Sequence, residues 1–248
     1  MYANTYLPHL IELRSRLLRV VLVLVLCFIV LFFFSNSLYV YIAQPLLNEL
    51  PPGHRLVATE VTAPFMVPTK LALLCAFLVS MPYLLYQIWA FVAPGLYLRE
   101  QRLLMPWLLV SCLLFYSGMV FAYLLLCPLA LSFFAHAAPP GVTLMIDIRL
   151  YLNFVVTLLL GGGLAFQVPV VTVACIKSGL ISHQQLVRQR PYVIVGAFVL
   201  GMILTPPDVL SQIMLALPMW GLFEIGLYYA RDLKTSKLPE VVPSSSSL

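Results

Sequence analysis

The sequence predicts an all-α integral membrane protein with six transmembrane helices, and three observations carry that expectation. Of its 248 residues, 62% are apolar and only 9% charged, against about 45–50% and about 25% in an ordinary soluble domain. Mean hydropathy is +1.00. The apolar residues fall into six continuous runs, most of them near the length of about 20 residues that a helix needs to cross the hydrocarbon core. Such a chain cannot cover a water-facing surface. Nor does it have the low hydrophobicity and high charge of a disordered one. Its 14 Lys and Arg lie scattered between apolar runs and build no solvated basic face for nucleic acid. Barrel strands would alternate apolar and polar residues, which these runs do not do.

The first span is expected over residues 17–34, preceded by an amphipathic stretch. There His9, Glu12, Arg16 and Arg19 form one polar stripe, and Leu10, Leu13 and Leu17 lie on another face. Glu12 stands four residues before Arg16, so it can form a helical ion pair worth a few tenths of a kcal/mol or offer its carboxylate to a cationic partner. A long connection over residues 35–69 follows, with Pro45, Pro51, Pro52, Gly53, Pro64 and Pro68, and has room for short interfacial helices. The second span is expected at 71–91 and the third at 105–126. Between them Glu100 sits among Arg99 and Arg102. The next connection, 128–149, carries the breaker Pro139-Pro140-Gly141.

The fourth span is expected at 150–176 as one helix, with Gly161-Gly162-Gly163 allowing close approach of a neighbour. Within it Gln167 is either a helix–helix hydrogen-bonding group or part of a polar recess. The fifth span, 192–204, is only thirteen residues, about 20 Å of helix and roughly 10 Å short of the core. The turn Thr205-Pro206-Pro207-Asp208 leads into the sixth, 209–230, which contains Glu224. Short fifth and sixth spans, with Pro82, Pro169 and Pro218 kinking their helices, suggest a curved, cup-like wall. Residues 1–238 thus form one transmembrane domain, and residues 239–248, ending in Ser244–Ser247, form a disordered tail.

The basic residues set the orientation. With six spans both termini share a side, which holds Arg14, Arg16, Arg19, Arg99, Arg102, Lys177, Arg188, Arg190, Arg231, Lys234 and Lys237. The other side holds Arg55, Lys70 and Arg149. This bias places both termini in the cytoplasm. The first apolar run is too long for a signal-peptide core and lacks a cleavage site, so it reads as a retained span.

Enzyme chemistry finds no support. The chain has no H-E-x-x-H, G-x-S-x-G or phosphate-binding loop motif. Cys27, Cys75, Cys112, Cys127 and Cys175 are scattered, as are His9, His54, His136 and His183, so neither a disulfide framework nor a metal centre is expected. The acidic residues are more telling. Glu12 and Glu100 are the only ones on the cytoplasmic face outside Asp232 and Glu240. Two carboxylates on a basic face suit a ligand bearing two guanidinium groups, because the two pair bidentately. Asp208, Gln167 and Glu224 are the polar groups at membrane depth, where ionisable residues mark functional sites by default.

Several segments together resemble the TatC family, the core membrane subunit of the twin-arginine protein translocase. They are His9-Leu10-Ile11-Glu12-Leu13-Arg14, Ala63-Pro64-Phe65, the run from Tyr86 to Tyr97 with Glu100, and Phe166-Gln167-Val168-Pro169. Arg190-Pro191-Tyr192, the run from Thr205 to Gln212, Pro218-Met219 and Phe223-Glu224 complete the ordered set. The resemblance implies a non-enzymatic receptor in the bacterial inner membrane, without cofactor or metal. It would recognise twin-arginine signal peptides of folded cargo, assemble as a homo-oligomer, and work with TatA-type and TatB-type single-span partners in export driven by the protonmotive force. By position, Glu12 and Glu100 would contact the signal's arginine pair, with Arg14, Phe91 and Arg102 shaping the same surface. Pro45 and Asp208 would match sensitive family positions, Gln167 and Glu224 would belong to the recess, and the face near Gln212 would dock a partner. Many family members carry Glu where this chain has Gln167. The alternative is a six-span small-molecule or lipid transporter, which inverted repeats would favour; no 20–50-residue repeat is visible.

Overall fold

A computed structural model describes residues 3–40, 56–92, 104–137, 146–179, 181–204 and 209–235. Pro45, Glu100, Arg102, Asp208 and the tail 239–248 lie outside the described residues. Among those described, five helices are long and apolar enough to cross a membrane, and a sixth apolar helix is shorter.

Helix α1, Ala3–Phe32, joins the amphipathic stretch and the first span into one rod, and further helical turns cover residues 35–40. Helix α2, Ala63–Val92, begins eight residues ahead of the expected 71. Pro64 is tolerated there because the first-turn N–H groups have no partner within the helix. Pro82 also lies inside α2.

The third span is likewise longer than 105–126. Helix α3, Leu104–Phe121, passes through a π-helical turn, Ala122–Leu126, into α4, Cys127–Ala137. Pro128 therefore does not end the helix as expected. In the π turn the Cys127 N–H reaches back five residues to the Ala122 carbonyl, and this shifted register lets the chain pass a residue with no N–H to give.

The fourth span is not one helix. It divides into α5, Ile148–Ala165, and α6, Val168–Lys177, with Phe166 and Gln167 forming the joint. Pro169 accounts for the break: its ring clashes with the carbonyl four residues earlier, and that residue, Ala165, is the last of α5. Short helix α7, His183–Arg188, starts with a capping box, in which Ser182 and Gln185 satisfy each other's backbone N–H groups. Helix α8, Arg190–Leu204, is the short fifth element at 15 residues. Helix α9, Val209–Thr235, is 27 residues long, of which the apolar span is the 20 residues Gln212–Arg231; the rest extends past the last apolar turn.

Helix α1 packs on α2, α3 on α5, and α9 on both α6 and α8. Close packing of α3 on α5 depends on missing side chains. A Cβ on Gly118 would come within 2.5 Å of the Gly162 carbonyl oxygen, and one on Gly163 within 2.7 Å of the Phe115 ring. The core lies along these seams, with Phe115, Ala122, Val155 and Leu158 essentially inaccessible. Helix α1 stands apart: no residue of its apolar window, Ile11–Phe32, is buried.

At one end of the molecule two connections meet as a parallel strand pair, β1 at Leu56–Val57 and β2 at Ile146–Asp147. Two-residue strands carry no readable period, and in the sequence both segments read only as connections. Asp147 caps α5 by accepting from the Arg149 and Leu150 N–H groups. Its carboxylate also accepts from the Thr59 hydroxyl, and Arg149 pairs with Glu60.

Candidate functional site

The polar groups of α1 separate onto two faces. Glu12 is held by Arg16, which gives Glu12 Oε1 two bonds, from Nε at 3.0 Å and Nη2 at 2.7 Å. The third Arg16 contact crosses to α2, from Nη1 to Gln87 Oε1 at 3.0 Å. Gln87 is buried, and its own Nε2 donates to the Tyr83 hydroxyl at 2.8 Å. A relay of four side chains thus fixes the Glu12 carboxylate where α1 meets α2. The i, i+4 pair expected from the sequence is present. What the sequence did not disclose is its anchor, Gln87. The signal was a lone amide within an apolar helix, which must find a partner when buried.

Helices α1 and α2 meet at Arg16 and Gln87. Phe91 lies four residues beyond Gln87 and so continues the same face of α2. At this same end Trp89 and Trp107 stack with ring centroids 5.7 Å apart, and Lys177 Nζ stands 4.5 Å over the Trp107 ring. This aromatic and cationic cluster ties the ends of α2, α3 and α6. Arg14 points away from Arg16 and Glu12 on the helix. Two residues of helix rotate it by about 200°, and it is exposed beside Ser15.

Gln167, at the joint between α5 and α6, makes a two-point bridge to α3. Its Nε2 donates to the Ser111 carbonyl at 2.8 Å, and its Oε1 accepts from the Ser111 hydroxyl at 2.5 Å. The helix–helix hydrogen bond that the sequence allowed is present. Glu224 accepts from Arg190 at 2.7 Å, an ion pair between α9 and the start of α8. Gln212 donates from Nε2 to the Phe198 carbonyl at 2.8 Å, closing the α8–α9 hairpin. The described residues therefore hold Glu12 at the α1–α2 seam through Arg16 and Gln87, set Gln167 where α5 and α6 meet α3, and place Gln212 and Glu224 at two points of the α8–α9 seam. Among the described residues no cluster of three His, Cys, Asp or Glu could hold a metal ion.

Comparison with known proteins places this arrangement. Residues 8–218 match the family model described as Sec-independent protein translocase protein (TatC). The chain is 48% identical over 225 residues to the Sec-independent protein translocase protein TatC of Escherichia coli K12, spanning 91% of this chain and 87% of that one. It is 48% identical over 231 residues to that of Azotobacter chroococcum, spanning 93% and 91%. The Aquifex aeolicus protein of the same name is 35% identical over 235 residues, spanning 94% and 97%. A crystal structure of the twin-arginine translocase receptor TatC superposes with a TM-score of 0.81 at 35% identity, covering 91% of this chain and 99% of that one.

Proposed function

This chain belongs to the TatC family of Sec-independent protein translocase proteins, and from that premise we propose that it binds twin-arginine signal peptides at the α1–α2 junction and delivers folded cargo for export. The alternative reading as a small-molecule or lipid transporter is not favoured. The observation that carries the proposal is the fixed Glu12 carboxylate, held through Arg16 and Gln87 against the face of α2 that Phe91 continues. A preorganised carboxylate spends little entropy in meeting a guanidinium, and the pairing is directional. Glu100 supplies the second carboxylate of the reading, so that each signal arginine has one. The apolar part of the signal then follows Phe91 and the α2 surface.

In this reading both termini face the cytoplasm of a bacterium, as the distribution of basic residues requires. The chain assembles as a homo-oligomer with TatA-type and TatB-type partners, and the α8–α9 hairpin near Gln212 is where a partner helix docks. Gln167 supports the recess by polarity alone, since an amide bonded to Ser111 has no proton to exchange near neutral pH.

The test is retention of a twin-arginine peptide by the detergent-purified protein. Native protein is expected to hold it and to release its twin-lysine counterpart, and Glu100→Lys is expected to abolish retention with the protein still folded. Equal crosslinking of the peptide to the native chain and to Glu100→Lys would remove Glu100 from the site.

A further inference from the structure

The outward face of α1 carries a groove that the reading above does not use. Residues Ile11, Ser15 and Arg19 form one ridge at four-residue spacing, and Arg14, Leu18 and Leu22 form the next. Between them runs a furrow of about 370 Å³. Along the helix its cationic and apolar residues interleave, Ile11, Arg14 and Ser15 followed by Leu18, Arg19 and Leu22. No acid lines it. Arg19 is already oriented, its Nε donating to the Ser15 carbonyl at 3.3 Å and its Nη2 to the Ser15 hydroxyl oxygen at 3.1 Å. That leaves its other N–H donors for a ligand, and the Ser15 hydroxyl proton as well.

We propose that this groove binds one anionic glycerophospholipid, with its phosphate between Arg14 and Arg19 and an acyl chain along Leu18 and Leu22. The charge pattern selects the occupant. Two guanidiniums with a hydroxyl between them complement a phosphate diester. Leu18 and Leu22 lie four residues apart on one ridge and lead into the membrane-spanning turns of α1, where lipid chains lie. Snorkelling alone would carry each arginine to the headgroup layer, yet it would not make the site prefer one headgroup.

The experiment is native mass spectrometry of the full-length protein released from detergent, with phosphatidylglycerol or phosphatidylcholine added in separate arms. The expected result is a retained phosphatidylglycerol adduct and no comparable phosphatidylcholine adduct. R14Q/R19Q is expected to weaken the adduct by about fivefold for each arginine lost, whereas R188Q, an exposed arginine on α7, leaves it unchanged. Leu18→Trp, which fills the groove and keeps both charges, is expected to lose the adduct as well. This second variant decides the matter if the double variant fails to fold. Equal retention of the two lipids, or undiminished phosphatidylglycerol on Leu18→Trp, would overturn the proposal. So would a second copy of the chain shielding Arg14 and Arg19 in lipid-free detergent.

Discussion

At the scale of single residues, polar side chains here act mostly on one another. Gln87 is the clearest case: it touches no proposed ligand, yet it holds Arg16, which holds Glu12. It is therefore a positioning residue for signal binding. Gln87→Leu is expected to lower twin-arginine peptide affinity by about 3–10-fold, the net worth of an ordinary hydrogen bond. Gln87→Glu, which still accepts from Arg16, should restore much of the loss. A purely structural role would shift the unfolding midpoint without this rescue. Ser111 offers a second test, because its hydroxyl is half of the Gln167 bridge. Ser111→Ala is expected to destabilise the protein by about 1 kcal/mol, the scale of interhelical bonds in membranes, read by unfolding in mixed micelles. Neither partner was foreseeable as a pair. Nothing in sequence spacing links positions 56 residues apart.

Among elements, the contrast between glycines is decisive. Gly118→Ala would press a methyl group against the Gly162 carbonyl at 2.5 Å, whereas a Cβ at Gly196 or Gly221 meets nothing within 4 Å. The first substitution is expected to cost about 1–3 kcal/mol by overpacking. Gly196→Ala is expected to be neutral or stabilising by up to about 1 kcal/mol through helix propensity. Thermal unfolding of the two variants side by side checks the difference. Most elements were legible beforehand, since an apolar run of sufficient length has one outcome in a membrane. Their ends were not. Pro64 and Pro128 fell within the expected connections, yet both are helical: one sits where no N–H is needed and the other follows a π turn. Pro169 read as a kink and is a break. In each case backbone bonding near the proline decided the result, and hydropathy carries no record of it.

For the whole molecule, the strand pair and the ion pair beside it join connections that are remote in the chain. The Thr59 hydroxyl, foremost, and the backbone N–H groups of Arg149 and Leu150 hold the Asp147 carboxyl below its usual range. A lowered folded pKa gives stability that is complete above the unfolded value and lost only as pH falls through the folded one. The junction should thus be insensitive between about pH 7 and about pH 5 and open in stronger acid. Hydrogen exchange at the Thr59 amide, corrected for intrinsic rate, checks this, and loosening already near pH 5 would contradict it. The candidate site was legible in its carboxylates because acids are scarce on a basic face; the junction was not, because it depends on a contact across 88 residues. That separation matters during synthesis. When α2 enters the membrane, its first turn has no Asp147 to meet, and the partner strand is still unmade. The junction forms only after α3 and α4 have been inserted and the chain has returned to the same side. Chains halted before residue 146 should leave Thr59 and Glu60 open to protease, so closure of β1 on β2 marks the moment when the amino-terminal half of the protein becomes complete.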